Sequence, residues 1–515
     1  MPNAMKFFQS KTKPALLLAA VMFPVAVIGQ LLPTPPSLPA DSISGSVTTV
    51  QPTAEVLPLS LDDAIRRGLE HNLQVAVARL NQRGAAGERL QAFGYLLPTV
   101  YWQAQRSQLQ FNLETEGFSP SVLSSFPPNL IPPSDINNFP LLVTVDKVET
   151  QATLRQTLFD LRAIELYRAA KQEIHAVDFS FLSTRGNVIQ TVGDSYLLAL
   201  ADEANVANAK SLLATNAEIL RQARLEHQAG TIAGLDVLRA QVQYQQQEQA
   251  IIAAQDASEK AKVALNREIG LPADQPIQLT DATPYAGLEI MPLAEALRLA
   301  YANRQQYLQL QAKLRSAQLQ SRAARYERLP TLSFNGNYGL TGTVGGIYHG
   351  TFLAQGTLNV PLFKEAQLRG DRDVADAQTA NAMSQLASFR TDIEAQIRSD
   401  MLDVAATRQL VTVARSNVDL AHATLSDATV RFQNGIDDDL PVVQAQSTLA
   451  AAENQLVNSL YQYDVAKLAL ARSTGVIDQQ YRAYLGTTTQ ATSGNLGHAL
   501  GAAQVPAEHN QRNGQ

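Results

Sequence analysis

The hydrophobic positions between residues 364 and 433 recur every seven residues, which predicts one very long helix. They lie in a stretch of about 70 residues that contains no proline. A strict seven-residue repeat keeps one apolar seam facing a neighbouring helix. At about 1.5 Å per residue the helix is roughly 100 Å long, more than a single globular core requires. The seam consists of Ile397, Val404, Val411, Val418, Leu425 and Phe432.

A second long helix is predicted over residues 161–228, because apolar side chains recur at the same interval there. Each long helix is followed by a glycine turn, at Gly230 or Gly435, and then by a shorter helix with its own apolar stripe. We interpret these stripes as helix-packing seams, which belong to the core, and not as a cofactor site.

A different pattern, alternation of apolar and small polar residues, predicts strands at about 331–341 and 350–362. The first half of the chain repeats it at about 148–159, whereas the predicted strand at about 99–111 alternates poorly. Strands of about ten residues with one apolar face suit a barrel with lipid outside and water inside. A half-buried soluble sheet is the alternative, and the strand pattern alone does not decide between them.

The two halves of the chain repeat the same order of elements. Leu-Pro-Thr occurs at 97–99 and again at 329–331, 232 positions later, and helical segments begin at Leu61 and Leu293 with the same offset. Pro98 and Pro330 mark the step from helix to strand in each half. The chain is therefore predicted to contain one duplicated unit, with repeats at 59–270 and 291–475 and a linker at 271–290.

Composition narrows the range of functions. The net charge of −6 gives no basic surface for nucleic acid. The chain has no cysteine, which excludes disulfides, thiolate metal sites and a lipid anchor on an N-terminal cysteine. Its seven histidines are scattered without ligand spacing. No nucleophile–base pair, phosphate loop or metal cluster is evident, so we expect neither an enzyme nor a cofactor.

The two ends are expected to lie outside the repeats. Three lysines precede a short apolar run that ends at Ile28, so residues 1–29 are predicted to be a secretory signal peptide. Residues 30–58 are predicted to be a Pro/Ser-rich leader and residues 476–515 a disordered tail. The long connection at about 111–147 is rich in Pro, Ser and Asn, and we expect it outside the cell.

Four strands cannot close a barrel, for which about eight is the practical minimum. Three chains would supply twelve strands, and the long helices would continue the barrel as a hollow cylinder. With its duplicated unit, Leu-Pro-Thr steps and glycine turns, the sequence resembles the outer-membrane efflux proteins, the TolC-like channels, from about Leu57 to Gly475. The predicted fold class is mostly α with a small β part.

The resemblance implies a homotrimer with a β-barrel in outer-membrane lipid of a Gram-negative bacterium and an α-barrel in the periplasm. It also implies a periplasmic adaptor (membrane fusion) protein and an inner-membrane transporter as partners, in a tripartite efflux or type I secretion system. Such channels perform no chemistry and act as passive exit ducts. The alternative is an exported coiled-coil spacer protein that forms no channel, which would explain the heptads but not the alternating strands.

The family narrows its pore at the periplasmic helix tips, which correspond here to Gly230–Asp236 and Gly435–Leu440. Two interpretations of the acidic residues after the second glycine stay open, a ring in the pore and a solvated acidic turn. By the resemblance, Asp236 and Phe432 fall where the family has contacts between neighbouring helix pairs. The acidic residues are Asp437, Asp438 and Asp439.

Overall fold

A computed structural model describes residues 45–46, 51–127, 132–136, 140–281, 286–434, 436 and 440–486. The predicted signal peptide, Gly435 and the three consecutive aspartates lie outside these residues. No helix within the described residues has an apolar run long enough to cross a bilayer. The elements are β1 (Leu57–Leu59), α1 (Leu61–His71), α2 (Leu73–Gly94), β2 (Thr99–Asn112), α3 (Pro120–Leu123), α4 (Pro133–Ile136), β3 (Leu142–Phe159), α5 (Leu161–Gln228), α6 (Gly234–Ile269), β4 (Ile277–Leu279), α7 (Leu293–Asn303), α8 (Gln305–Tyr326), β5 (Thr331–Thr343), β6 (His349–Asn359), α9 (Glu365–Gln433), α10 (Leu440–Ser473) and α11 (Ile477–Leu485).

The same six elements follow one another in both halves. Helices of 11 and 22 residues lead into two strands, then a helix of 68 or 69 residues, then one of 36 or 34 residues. The halves differ most between their paired strands, where the first has the longer connection, with α3 and α4, and the second a short one. β3 begins at Leu142, so the first hairpin extends into the connection expected at about 111–147.

The first helical segment, which the sequence pattern begins at Leu61, is interrupted before the Leu-Pro-Thr step. Leu59 belongs to β1, and Asn72 has an extended backbone (φ −66°, ψ 130°) between α1 and α2. The Asn72 side chain accepts a hydrogen bond from the Gln74 amide at 2.9 Å and so caps the second helix. Arg304 makes the equivalent break in the second half, with φ −67° and ψ 110°.

The main core lies where the long helices meet the short elements between the repeats. β1 pairs in parallel with β4, so part of the expected leader and part of the expected linker form a two-stranded sheet. The Tyr196 hydroxyl is buried beneath it, 2.8 Å from a carboxylate oxygen of Asp281 and 3.1 Å from the Leu59 carbonyl oxygen. The predicted α9 seam contributes Val404 and Val411 to this core.

The sequence predicted a disordered tail from residue 476 onward. In the structure the helix α11 follows the second repeat directly, so the predicted start of the tail is too early. Ile477, Tyr484 and Leu485 are buried on one face of this helix. On another face Asp478 forms an ion pair with Arg185 at 3.0 Å, and Arg482 forms one with Asp62 at 2.9 Å. The helix is amphipathic over less than three turns, which is too short a pattern to stand out from a polar tail.

The four long strands form one antiparallel sheet in the order β2–β3–β5–β6. Each half contributes one hairpin, and the two hairpins join through β3 and β5. The register shifts between Thr157 and Phe159, near the helical end of the sheet. Among the described residues β2 and β6 each have one paired neighbour, so both outer edges of the sheet are open.

Candidate functional site: the sheet faces and the helix tips

One face of the sheet, called the polar face below, collects mostly uncharged polar side chains from all four strands. Across the strands Thr99 pairs with Arg155, Arg155 with Asn335, and Thr331 with Asn359. This face lines a concave cavity of about 610 Å³. The Arg155 guanidinium lies 5.3 Å from the centre of the Tyr101 ring. This cation–π contact keeps the positive charge of Arg155 at the wall of the cavity. A concave polar surface of this kind can face water.

The opposite face, called the apolar face, carries large exposed hydrophobic side chains. Trp102, Ala152, Tyr338 and Phe352 are paired in one row across the sheet. Trp102 and Tyr338 are each 71 % exposed and Phe352 is 79 % exposed. Water solvates such surface poorly, and an exposed apolar patch on this scale usually marks an interaction surface. The apolar face suits contact with lipid.

The alternation that was poor in the sequence of β2 has a structural explanation. Val100 and Trp102 lie on the apolar face near the helical end, whereas Arg106 occupies the same face further along. Arg106 donates two hydrogen bonds to the Asp146 carboxylate, at 2.9 and 2.6 Å. The charged pair therefore lies beyond the aromatic row, where the apolar part of this face ends.

Pro98 and Pro330 lie where α2 and α8 give way to strands, as the sequence pattern indicated. In the first half the Leu96 and Leu97 amides bond back to the last turn of α2, at 2.9 and 3.1 Å. Proline has no amide hydrogen and disfavours a helical conformation in the residue before it, so the helix cannot continue past this point. β2 and β5 then begin at the next residue.

At the other end of the long helices, α5 closes with a Schellman motif around Gly230. Gly230 has φ +76°, its amide bonds to the His227 carbonyl oxygen, and the Thr231 amide bonds to the Glu226 carbonyl oxygen. α9 ends with the equivalent outer bond, from the Ile436 amide to the Arg431 carbonyl oxygen at 3.0 Å. The two helix ends therefore share this outer hydrogen bond.

Between the two helix hairpins at this end lies an open groove of about 1070 Å³, called the tip groove. Both residues that the resemblance assigned to tip contacts, Asp236 and Phe432, line it. The Asp236 carboxylate is 3.2 Å from Arg239, one turn away on α6. Ile219 of α5 contacts the apolar clusters of both hairpins and forms the floor between them.

The structure also contains a buried ion pair that the sequence analysis missed. Lys467 and Asp464 on α10 are 2.6 Å apart and essentially without solvent exposure. The Lys467 ammonium lies 4.6 Å from the Tyr463 ring centre and 3.4 Å from the Ala286 carbonyl oxygen. Burial raises the pKa of Asp464 to about 6, against the opposing effect of Lys467. An Asp and a Lys three residues apart on a helix look like an ordinary surface pair in sequence.

Asp194 on α5 is a second buried acid. Burial raises its pKa to about 7, and one of its carboxylate oxygens has no hydrogen-bond partner. No group of three or more His, Asp or Glu side chains in the described part of the chain is arranged to hold a metal ion.

Comparison with known proteins agrees with this geometry. The profile of the outer membrane efflux protein family matches residues 296–476, which is most of the second repeat. The probable efflux pump outer membrane protein SepC of Pseudomonas putida is 26 % identical over 328 residues, covering 61 % of this chain and 66 % of SepC. The alkaline protease secretion protein AprF of Pseudomonas aeruginosa is 22 % identical over 361 residues, covering 65 % of this chain and 71 % of AprF.

Among solved structures, the outer membrane protein VceC of Vibrio cholerae has a TM-score of 0.66 to this chain at 18 % identity. The alignment covers 81 % of this chain and 96 % of VceC. At this identity the similarity concerns the fold. It includes both repeats, whereas the family profile matches the second alone.

Proposed function

We propose that this chain, which carries the outer membrane efflux protein domain and has the fold of the TolC-like outer-membrane channels, is one subunit of a trimeric exit duct. The four-stranded sheets of three copies close around an aqueous lumen in the outer membrane. The long helices continue that lumen through the periplasm. The duct is passive, and an inner-membrane transporter supplies the energy.

The observation that carries this proposal is the division of the sheet into two faces. Polar side chains from all four strands line one concave surface, and the row of Trp102, Tyr338 and Phe352 is exposed on the other. In a soluble protein about 70–80 % exposure of three aromatic rings in one row would leave a large apolar patch in water. An exported spacer protein gives no reason for such a surface.

The tip groove is the place that we assign to the periplasmic adaptor. It lies at the end of the helices away from the sheet and is lined by both apolar and polar side chains, among them Phe432 and Asp236. Such a mixed concave surface suits the insertion of a helical hairpin tip from a partner protein. Three consecutive aspartates come shortly after Phe432 in the sequence. We retain Asp437, Asp438 and Asp439 as candidates for an acidic ring at the mouth of the pore.

In this proposal the partner transporter determines which cargo is exported. SepC is named for an efflux pump and AprF for secretion of a protease, so similar ducts occur in systems with different cargo. Uncharged Gln, Asn and Thr side chains on the polar face of the sheet suit passage of many solutes without tight binding of any one. We therefore assign the selectivity of the system to the transporter.

Cell fractionation tests the proposal. The full-length protein, expressed in a Gram-negative host, is expected in the outer-membrane fraction as a trimer that resists detergent during electrophoresis without heating. Deletion of the gene is expected to sensitise its natural host to exported toxic compounds or to abolish secretion of a protein. A monomer in the soluble periplasmic fraction would refute the proposal.

A further inference from the structure

Arg155 gives the polar face an isolated positive charge near the helical end of the sheet. Among the described residues that line the cavity on this face, it is the one with a formal charge. Its neighbours across the sheet are uncharged, and the row runs through Thr99, Arg155, Asn335 and Gln355. A cationic side chain among amides and hydroxyls on a concave surface can attract anions from solution.

The Arg155 guanidinium is not neutralised within the single chain. Its side chain is exposed, and in the described part of the chain it forms no hydrogen bond and no ion pair. Its contact with the Tyr101 ring, at 5.3 Å, stabilises the cation from one side. A cation–π contact does not use up the five N–H donors of the guanidinium, which stay available to a passing solute.

Lys147 and Glu149, the other charged side chains on the polar face of the described strands, balance each other. They form an ion pair, and Glu149 also accepts a hydrogen bond from Gln105 at 2.6 Å. Glu149 is six residues from Arg155 on β3, which is about 20 Å along the strand. This is twice the Debye length of about 10 Å at 0.1 M salt. The polar face therefore has a net positive charge, which is located at Arg155.

The second hairpin has an uncharged residue at the position that corresponds to Arg155. Thr99 pairs with Arg155 in the first hairpin and Thr331 pairs with Asn359 in the second, and Leu-Pro precedes both threonines. Asn359 therefore corresponds to Arg155, and it is likewise exposed. Each chain carries one arginine at this level of the sheet, and the fold accepts asparagine at the same level.

We propose that in the trimer the three Arg155 side chains form a cationic ring inside the lumen, at the end of the barrel next to the helices, which favours the passage of anions over cations. The proposal rests on the trimeric duct above and adds to it a site that discriminates by charge. The anions that suit it best carry carboxylate or phosphate groups, which accept charge-assisted hydrogen bonds from a guanidinium. The transporter still determines the cargo, and the ring determines how readily solutes of each charge pass this level.

The size of the barrel decides how far such a ring acts. Twelve strands spaced about 4.8 Å apart and tilted by about 40° give a backbone radius of about 12 Å. Each guanidinium therefore lies within about 12 Å of the pore axis. The Debye length is about 30 Å in 0.01 M salt and about 3 Å in 1 M salt. The ring should act on every ion that passes in dilute salt, and it should be largely screened in concentrated salt.

Reversal potentials across a planar lipid bilayer test the proposal, with the purified full-length trimer between 0.1 M and 0.01 M KCl. They give the ratio of chloride to potassium permeability. Arg155→Asn removes the ring, and we expect the ratio to fall at least twofold. Asn359→Arg adds a second ring close to the first, and we expect the ratio to rise at least twofold. Between 3 M and 1 M KCl both differences should disappear, because the charges are screened.

Two matched variants separate the charge from other effects of substitution. Arg155→Lys keeps the charge and is expected to keep the natural permeability ratio. Arg106→Asn removes an arginine from the apolar face and is also expected to keep the natural ratio. The acidic candidates at the other end of the duct are the same in all variants, so they affect every ratio alike. These are Asp437, Asp438 and Asp439.

Equal permeability ratios for the natural protein, Arg155→Asn and Asn359→Arg in dilute salt would overturn the ring. A shift caused by Arg106→Asn that is as large as the shift caused by Arg155→Asn would overturn it too. In both cases the trimers conduct, and the duct itself stands. If Arg155→Asn fails to form trimers, the comparison of Asn359→Arg with the natural protein decides, and an unchanged ratio overturns the ring. A natural trimer that inserts and carries no current would refute the duct and the ring together.

Discussion

The assignment of the two sheet faces predicts that arginine on β6 is harmful on one face and tolerated on the other. Apolar side chains follow one face of β6 from Phe352 to Leu358, next to the last strand residue, Asn359. Leu358 lies near the helical end of the sheet and is 65 % exposed in the single chain.

Leu358→Arg should therefore destabilise the membrane-inserted protein strongly. Arginine on the lipid face of a barrel costs about 0–4 kcal/mol, depending on its depth in the bilayer, and the lost transfer of a leucine side chain from water costs about 2 kcal/mol more. The expected loss is about 2–6 kcal/mol per copy. Urea unfolding from phospholipid vesicles measures it, with Trp102, the only tryptophan of the chain, as the fluorescent probe.

Leu353→Arg is the control, because it makes the same chemical change on the polar face of the same strand. Leu353 lines the concave cavity together with Asn337 and Gln355. An arginine there can reach water, so we expect a loss within about 1 kcal/mol. If Leu353→Arg destabilises as much as Leu358→Arg, or more, then the faces are assigned wrongly.

Three further predictions concern the helical part. Gly230→Val should lower the free energy of unfolding by about 1–2 kcal/mol, because the residue has φ +76° and open space around it, and a melt equal to that of the natural protein would contradict this. Lys467→Met should cost about 3–5 kcal/mol at pH 8, since Asp464 loses its buried partner, whereas Lys467→Met/Asp464→Leu should recover most of it in urea titrations. Burial raises the pKa of Asp194 to about 7, so the native state binds the extra proton and its stability should fall as pH rises from about 4 to about 7. Asp194→Asn should make that fall smaller, and an unchanged pH profile would count against the assigned pKa.

Much of the fold could be predicted from sequence because its signals are local or periodic. The seven-residue seam contained Val404 and Val411, which are fully buried. A glycine after α5 and a proline before β2 mark changes of backbone geometry that few other residues permit. The offset of 232 between the Leu-Pro-Thr steps then supported the strand at β2, whose alternation is poor, from its clearer equivalent β5.

The parts that sequence did not predict depend on contacts distant along the chain. β1 and β4 have three residues each and are strands because they pair with each other, across the whole first repeat. α11 packs its apolar side chains into the same core, and nothing in its own nine residues indicates that core. The burial of Lys467 likewise depends on the segment that includes Ala286, which covers it.

The candidate site was predictable in outline and not in detail. Asp236 and Phe432 line one groove, and their role in contacts between neighbouring helix pairs remains a prediction. The row of Trp102, Ala152, Tyr338 and Phe352 required the strand register, since the four residues lie on four strands and only pairing aligns them. The roles of Asp437, Asp438 and Asp439 remain predictions.

The central claim is that copies of this chain enclose a water-filled passage. Conductance of the purified full-length trimer in a planar lipid bilayer tests it most directly. We predict discrete, reproducible current steps in salt solution. Trimers that insert into the bilayer but carry no current under any voltage or salt concentration would contradict the account.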